Sequence, residues 1–135
     1  MAKKLVIAVL DDDASVRAAL SRFLKSLGYQ AIAFERAEDF LSSDQRRSTA
    51  CLIADVQMPG MTGLELHSRL VASGEPIPTI LITAYPDSAA RARALQNGVV
   101  CYLPKPFLDD DLLTCIELVV GSPDANGQKH YPGDA

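Results

Sequence analysis

Histidine is nearly missing from the 135-residue sequence: His67 and His130 are the only two, and Cys51, Cys101 and Cys115 are the only cysteines. Zinc sites gather Cys, His and carboxylate ligands at short, recognisable spacings. These five residues show no such spacing, so a zinc cluster is not expected. The odd number of cysteines gives no paired framework, and all three are expected as small core residues. His67 falls in a helical stretch among polar neighbours and is expected on the surface, while His130 sits near the end of the sequence. Neither is placed to act as a catalytic base. Long apolar runs are missing too. None approaches the roughly 18 residues of a spanning helix, and the first residues do not combine a charged n-region, an apolar h-region and a small-residue cleavage site into a signal sequence. A cytoplasmic protein without a membrane partner is expected. Positive charge is also short: 13 Lys and Arg face 17 Asp and Glu, a formal net charge of −4. A surface that neutralises many phosphates needs clustered Lys and Arg, so direct nucleic-acid binding by this domain is not expected.

What is present suits an ordinary globule, with 48% hydrophobic and 22% charged residues in a length that fits one domain. Five strand-sized apolar runs stand out: KLVIAVL from Lys4 to Leu10, QAIAF from Gln30 to Phe34, CLIAD from Cys51 to Asp55, TILIT from Thr79 to Thr83, and CYLP from Cys101 to Pro104. Runs without clean polar alternation suit strands covered on both faces, as in a parallel sheet. Between the first two, Val16, Leu20, Phe23, Leu24 and Leu27 recur at helical steps and Gly28 follows as a stop. Shorter helical patterns lie at about Ala37 to Leu41, Leu64 to Ala72, Ser88 to Asn97 with Gly98 as its stop, and Asp109 to Val120. Strand followed by helix, five times at βα spacing, predicts a doubly wound α/β domain with a five-stranded parallel sheet and five helices. Gly121 to Ala135 has no apolar period, so residues 1–120 are read as the domain and 121–135 as a flexible tail or linker.

In an open parallel sheet, ligands bind beyond the carboxyl ends of the strands. There the first run gives way to Asp11, Asp12 and Asp13, the third ends in Asp55, the fourth in Thr83, and the fifth runs through Pro104 into Lys105. Two unit charges about 4 Å apart repel by roughly 4 kcal/mol at an effective dielectric near 20. Water or a cation must therefore compensate the acids, unless some of them merely cap the following helix. Carboxylates with water suit Mg²⁺ (or Mn²⁺) in company with a phosphate oxygen. One carboxylate is then free to attack phosphorus, with Lys105 and Thr83 meeting the phosphoryl oxygens. Asp55 is the better nucleophile, because it ends its strand alone and the Pro and Gly of VQMPGMTG force a sharp loop expected to leave its carboxylate exposed. On its own, MPGMTG is also just a turn before a helix.

Taken in order, DDD, ADVQMPGMTGLEL, LITA and YLPKPF resemble the receiver domain of two-component response regulators, a CheY-like superfamily, in its FixJ flavour; the resemblance covers Lys4 to about Val120. It implies a flavodoxin-like sheet of order 2-1-3-4-5 and a signalling switch, not an enzyme, that catalyses only its own phosphorylation and dephosphorylation. It implies Asp55 as phospho-acceptor, Asp12 and Asp55 as Mg²⁺ ligands with the backbone carbonyl of Gln57, and Asp11 as an outer carboxylate acting through water. Asp13 is left as a cap or a solvated residue. Thr83 and Lys105 match the phosphoryl-binding pair, Tyr102 the aromatic switch residue, and Lys105 to Pro106 the family's cis bond. The implied partners are a sensor histidine kinase as phosphohistidine donor, a second copy through the fourth helix, fifth strand and fifth helix, and an output domain or partner, with transcription as one output. No helix-turn-helix pattern occurs within the sequence. Gln57, Tyr85 and Pro86 fall where the family varies, and Pro104 removes a backbone donor at the end of the last strand.

Two other readings remain. VIAVLDDDAS also fits an apolar run followed by D-x-D-x-S, which resembles Mg²⁺-dependent phosphatases of the haloacid dehalogenase type. Asp11 would then be the nucleophile and Asp13 the acid/base, but Asp55 and MPGMTG would have no task. The other is a degenerate receiver that only docks, without phosphorylation.

Overall fold

Both faces of each central strand are apolar because both are covered. In the computed structural model, which describes residues 4–121, the strands are β1 (Val6–Leu10), β2 (Gln30–Phe34), β3 (Thr49–Asp55), β4 (Thr79–Thr83) and β5 (Cys101–Pro104). They pair in parallel in the order β2-β1-β3-β4-β5. Side chains alternate between faces along a strand. Ile7, Val9, Cys51, Ile53, Ile80 and Ile82 therefore enter one buried cluster, and Ala8, Leu10, Leu52, Ala54, Leu81 and Tyr102 enter the other. The residues expected as a tail from position 122 onward, His130 among them, lie outside the described residues.

Helices close each face through their apolar stripes. On one side α1 (Ala14–Ser26) brings Leu20 and Leu24, and α5 (Asp109–Val120) brings Leu112, Cys115 and Ile116. On the other, α2 (Ala37–Leu41), α3 (Gly63–Ala72) and α4 (Ser88–Gln96) bring Phe40, Leu66, Leu70 and Ala94. Fully burying a Leu or Ile side chain stabilises the fold by about 1.5–3 kcal/mol, which makes these two layers its main support. Gly28 and Gly98 end α1 and α4 at φ +94° and +99°, a region that disfavours other residues. Pro104 is tolerated because β5 is an edge strand, where a missing donor breaks no ladder on the open side. The Lys105–Pro106 bond is cis.

Three expectations change. Thr49 and Ala50 extend β3 two residues before Cys51, and a 3₁₀ turn at Asp44–Ser48 precedes it, closed by the Thr49 hydroxyl donating to the Gln45 carbonyl at 2.8 Å. His67 is not on the surface: it is 4% exposed and its Nδ1 has no partner among the described residues. It shares the buried stripe Gly63, Leu66, His67, Leu70, where helical period outweighs polar neighbours. Burial pushes its pKa down. Cys51 and Cys115 are core residues, whereas Cys101 is only half-buried against the same cluster and is joined to Cys115 as a disulfide between β5 and α5; only Cys51 is a free buried thiol among the described residues.

Candidate functional site

After β1 the chain adds β2 on one side, and β3 then pairs on the other. Such a reversal opens a crevice at the carboxyl ends of the two central strands. Register fills it. Leu10 pairs with Ala54, so Asp11 and Asp55 leave the sheet side by side. Asp55 pairs with Ile82 and Thr83 with Pro104, which brings Thr83 and Lys105 to the same rim.

The turn chemistry after each strand then aims the side chains. Asp11 Oδ1 accepts from the Asp13 N–H (2.9 Å), Asp55 Oδ1 from the Gln57 N–H (2.9 Å), and Thr83 Oγ1 from the Tyr85 N–H (3.0 Å). These are local side-chain turns onto the backbone two residues on. In both aspartates they leave the second oxygen free for another partner. That partner is shared: Lys105 Nζ donates to Asp11 Oδ2 at 2.8 Å and to Asp55 Oδ2 at 2.9 Å. Asp11 is fully buried and Asp55 is 5% exposed, so the Asp55 carboxylate is not exposed as its loop suggested. Lys105 and the Gln57 N–H cover it. Asp12 is exposed and offers a carboxylate oxygen within 4.8 Å of those of Asp11 and Asp55.

Asp13 takes a separate part. It caps α1, accepting from the Ser15 N–H (2.8 Å), the Ser15 hydroxyl (2.7 Å) and the Val16 N–H (3.4 Å), and the bonds from Ser15 hold its pKa below the usual value. Tyr102 is 9% exposed and lies in the α2–α3–α4 cluster with Ala94 and Val99. It is more deeply buried than a half-exposed strand aromatic.

Burial pushes the Asp11 pKa up, and the nearby Asp55 adds to this, against the opposing bonds from Lys105 and the Asp13 N–H. Burial works against the Lys105 ammonium, but its bonds to both aspartates prevail and raise its pKa. The single ammonium thus leaves the acid cluster under-compensated. Hard oxygen donors from three carboxylates within 4.8 Å fit a small divalent cation such as Mg²⁺.

Two supporting residues were given no role by the sequence. A Cβ on Gly63 would lie 2.6 Å from the Asp55 carbonyl oxygen and 3.0 Å from Leu81 Cδ2. The last glycine of MPGMTG therefore lets α3 start directly against the end of β3 at Asp55. Arg17 Nη1 donates to the Asp11 carbonyl at 2.6 Å. A cation in the first turns of a helix opposes the macrodipole, and that anomaly was its one signal in the sequence.

The response regulator receiver domain family matches residues 7–117. The transcriptional regulatory protein FixJ of Bradyrhizobium diazoefficiens is 38% identical over 120 residues, 89% of this chain and 58% of that protein. The chain spans about half the length of the curated relatives that it matches. Among solved structures, the response regulator StyR superposes with a TM-score of 0.80 at 39% identity, covering 87% of this chain and 59% of that one. A crystal structure of FixJ-N gives 0.76 at 31% identity, covering 86% of this chain and 93% of that one.

Proposed function

The chain belongs to the response regulator receiver domain family, whose members are phosphorylation-dependent signalling switches and not classical enzymes, and from that premise we propose that Asp55 is its phospho-acceptor. The observation that carries this reading is the shared lysine: Lys105 bridges the buried Asp11 and Asp55 from 94 and 50 residues away, a contact that burial alone would disfavour.

Asp12 and Asp55, with the Gln57 carbonyl and with Asp11 through water, are the residues that would hold Mg²⁺ (or Mn²⁺). When bound, the ion supplies charge neutralisation for an incoming phosphoryl group. The chain's own groups do the rest. Asp55 forms the new P–O bond as the P–N bond of a phosphohistidine on a sensor kinase breaks, and the imidazole leaves. Lys105 moves its hydrogen bond from the carboxylates to a phosphoryl oxygen, so its charge stays paired throughout. The Thr83 hydroxyl already accepts from the Tyr85 N–H, so its own proton is free to donate to phosphoryl oxygen.

A shift of Thr83 toward the phosphoryl group draws on the cluster that holds Tyr102. The ring is already buried, so phosphorylation biases an inward conformation that is populated beforehand. The surface of α4, β5 and α5 would change its preference for a partner, whether a second copy or an output domain. Transcriptional output follows only by likeness to the FixJ protein. In this reading the receiver unit ends near residue 120, residues 121–135 are a tail or linker, and the location is cytoplasmic by likeness to the family. No helix among the described residues is long and apolar enough to cross a membrane.

The family match is to the receiver domain and gives the phosphatase alternative no support, and Asp13, the acid/base which that alternative requires, is engaged as the cap of α1. Incubation with acetyl phosphate and Mg²⁺ tests the proposal. Stoichiometric, Mg²⁺-dependent phosphorylation that is lost in Asp55→Asn supports it. Sustained turnover of phosphate esters contradicts it, and failure of the wild-type domain to bind Mg²⁺ favours a docking module.

A further inference from the structure

The disulfide between Cys101 and Cys115 has no part in phosphoryl transfer. It joins the first residue of β5 to the middle of α5, with the two Cα atoms 6.1 Å apart, a separation that a bridge spans without moving the backbone. Cys101 is half-buried and Cys115 is 5% exposed, so a reagent from solution reaches Cys101 first. The third thiol, Cys51, stands in the same apolar cluster but is fully buried. Burial pushes its pKa up to about 12. With almost no thiolate, Cys51 does not shuffle with the pair. The pair therefore has two defined states, bridged and open.

We propose that Cys101 and Cys115 are a reversible redox site, which takes its oxidising equivalents from small-molecule disulfides and, when bridged, restrains the change that phosphorylation makes on the α4–β5–α5 face. The inference rests on the phosphoryl-switch reading above. The chemistry is two successive thiol–disulfide exchanges. The Cys101 thiolate attacks one sulfur of the small disulfide, forming a mixed disulfide and expelling one thiolate. The Cys115 thiolate then attacks Cys101 Sγ, closing the bridge and expelling the second. The two protons lost by the cysteines pass to the two leaving thiolates, and the small disulfide is reduced by the two electrons that the cysteines give up. Excess small thiol runs the same steps backward.

The link to signalling is positional. Cys101 faces the α1–α5 cluster, whereas its neighbour Tyr102 faces the α2–α3–α4 cluster. A bridge at Cys101 fixes β5 to α5 directly beside the residue expected to respond to phosphorylation. Opened, the two elements are held by side-chain packing alone and can move apart by small amounts.

The test uses the 135-residue chain with oxidised or reduced glutathione. Alkylation and intact mass count the thiols, and hydrogen exchange of β5 and α5 is followed with and without beryllofluoride and Mg²⁺, a mimic of a carboxyl-bound phosphoryl group. Oxidised glutathione should remove two of the three thiols and leave Cys51. Beryllofluoride should then change α5 exchange several-fold less in the oxidised protein than in the reduced one. A Cys101→Ser/Cys115→Ser variant should respond like the reduced protein under both conditions, although the wild-type comparison carries the test by itself. Failure of the bridge to form, or an equal response in both redox states, overturns the redox proposal alone. No response in either state overturns the phosphoryl reading and this proposal with it.

Discussion

Lys105→Met keeps most of the lysine's apolar stem but leaves the buried Asp11 and Asp55 facing each other unpaired. Their nearest ligand oxygens lie within 4.8 Å, so at an effective dielectric near 20 two full charges would repel by about 3.5 kcal/mol or more. Protonating Asp11 offers an escape. Its pKa is already raised, and from an ordinary value of 3.8 the cost of protonation at pH 7 is about 4 kcal/mol. The two limits agree, and because the lysine side chain is 20% exposed and water can enter, a loss of about 2–4 kcal/mol is expected, in line with breaking a buried ion pair. The loss has a sign in pH. A carboxyl whose folded pKa is raised stabilises the fold below its unfolded pKa and loses that contribution as pH rises through its folded pKa. The variant's deficit should therefore shrink toward pH 4. Mg²⁺ should restore stability at pH 7 by more than it stabilises the wild type, because the ion replaces the missing charge. Urea unfolding at pH 7 and pH 4, with and without Mg²⁺, measures all of this. A deficit that does not depend on pH, or a variant indifferent to Mg²⁺, would refute the electrostatic reading of the cluster.

Other perturbations have defined outcomes. Gly63→Ala should cost about 1–3 kcal/mol in urea unfolding, because the new Cβ meets backbone at 2.6 Å and cannot swing aside, and it should slow phosphorylation by displacing Asp55. Thr83→Ala removes the acceptor of the Tyr85 N–H for about 0.5–1.5 kcal/mol; it should still take up phosphoryl from acetyl phosphate, but exchange at α4 and α5 should no longer respond. His67 has a depressed pKa, so its contribution is full above its ordinary value of 6.5 and lost as pH falls through the folded value. His67→Leu should flatten the stability profile on that acid side, and an unchanged profile would show that another group titrates there. Lys105, with a raised pKa, supports the fold below 10.5 and should yield an alkaline loss that Lys105→Met lacks.

Strand and helix alternation made the fold readable because both strand faces are covered, so the apolar runs stood out as blocks. The misplaced start of β3 has the same root. Ala50 is small and only half-buried, and Thr49 is polar, its hydroxyl satisfied by the Gln45 carbonyl of the 3₁₀ turn. Asp11, Asp55, Thr83 and Lys105 were legible as a set only because a parallel sheet places strand ends on one rim. Their hydrogen bonds were not, since the lysine crosses 94 residues to reach Asp11. His67 was misjudged by composition, although its spacing from Gly63 and Leu70 already placed it on the buried stripe. The bridge between Cys101 and Cys115 has no spacing signature. It exists because α5 returns across β5, which is a fact of tertiary packing.

Phosphoryl transfer to Asp55 is tested most directly by locating the modified residue. After reaction with acetyl phosphate and Mg²⁺, borohydride reduction of the acyl phosphate and peptide mass mapping should mark Asp55 in the wild type and leave Asp55→Asn unmarked. A mark on Asp11 or Asp12, or one that persists in Asp55→Asn, would contradict it.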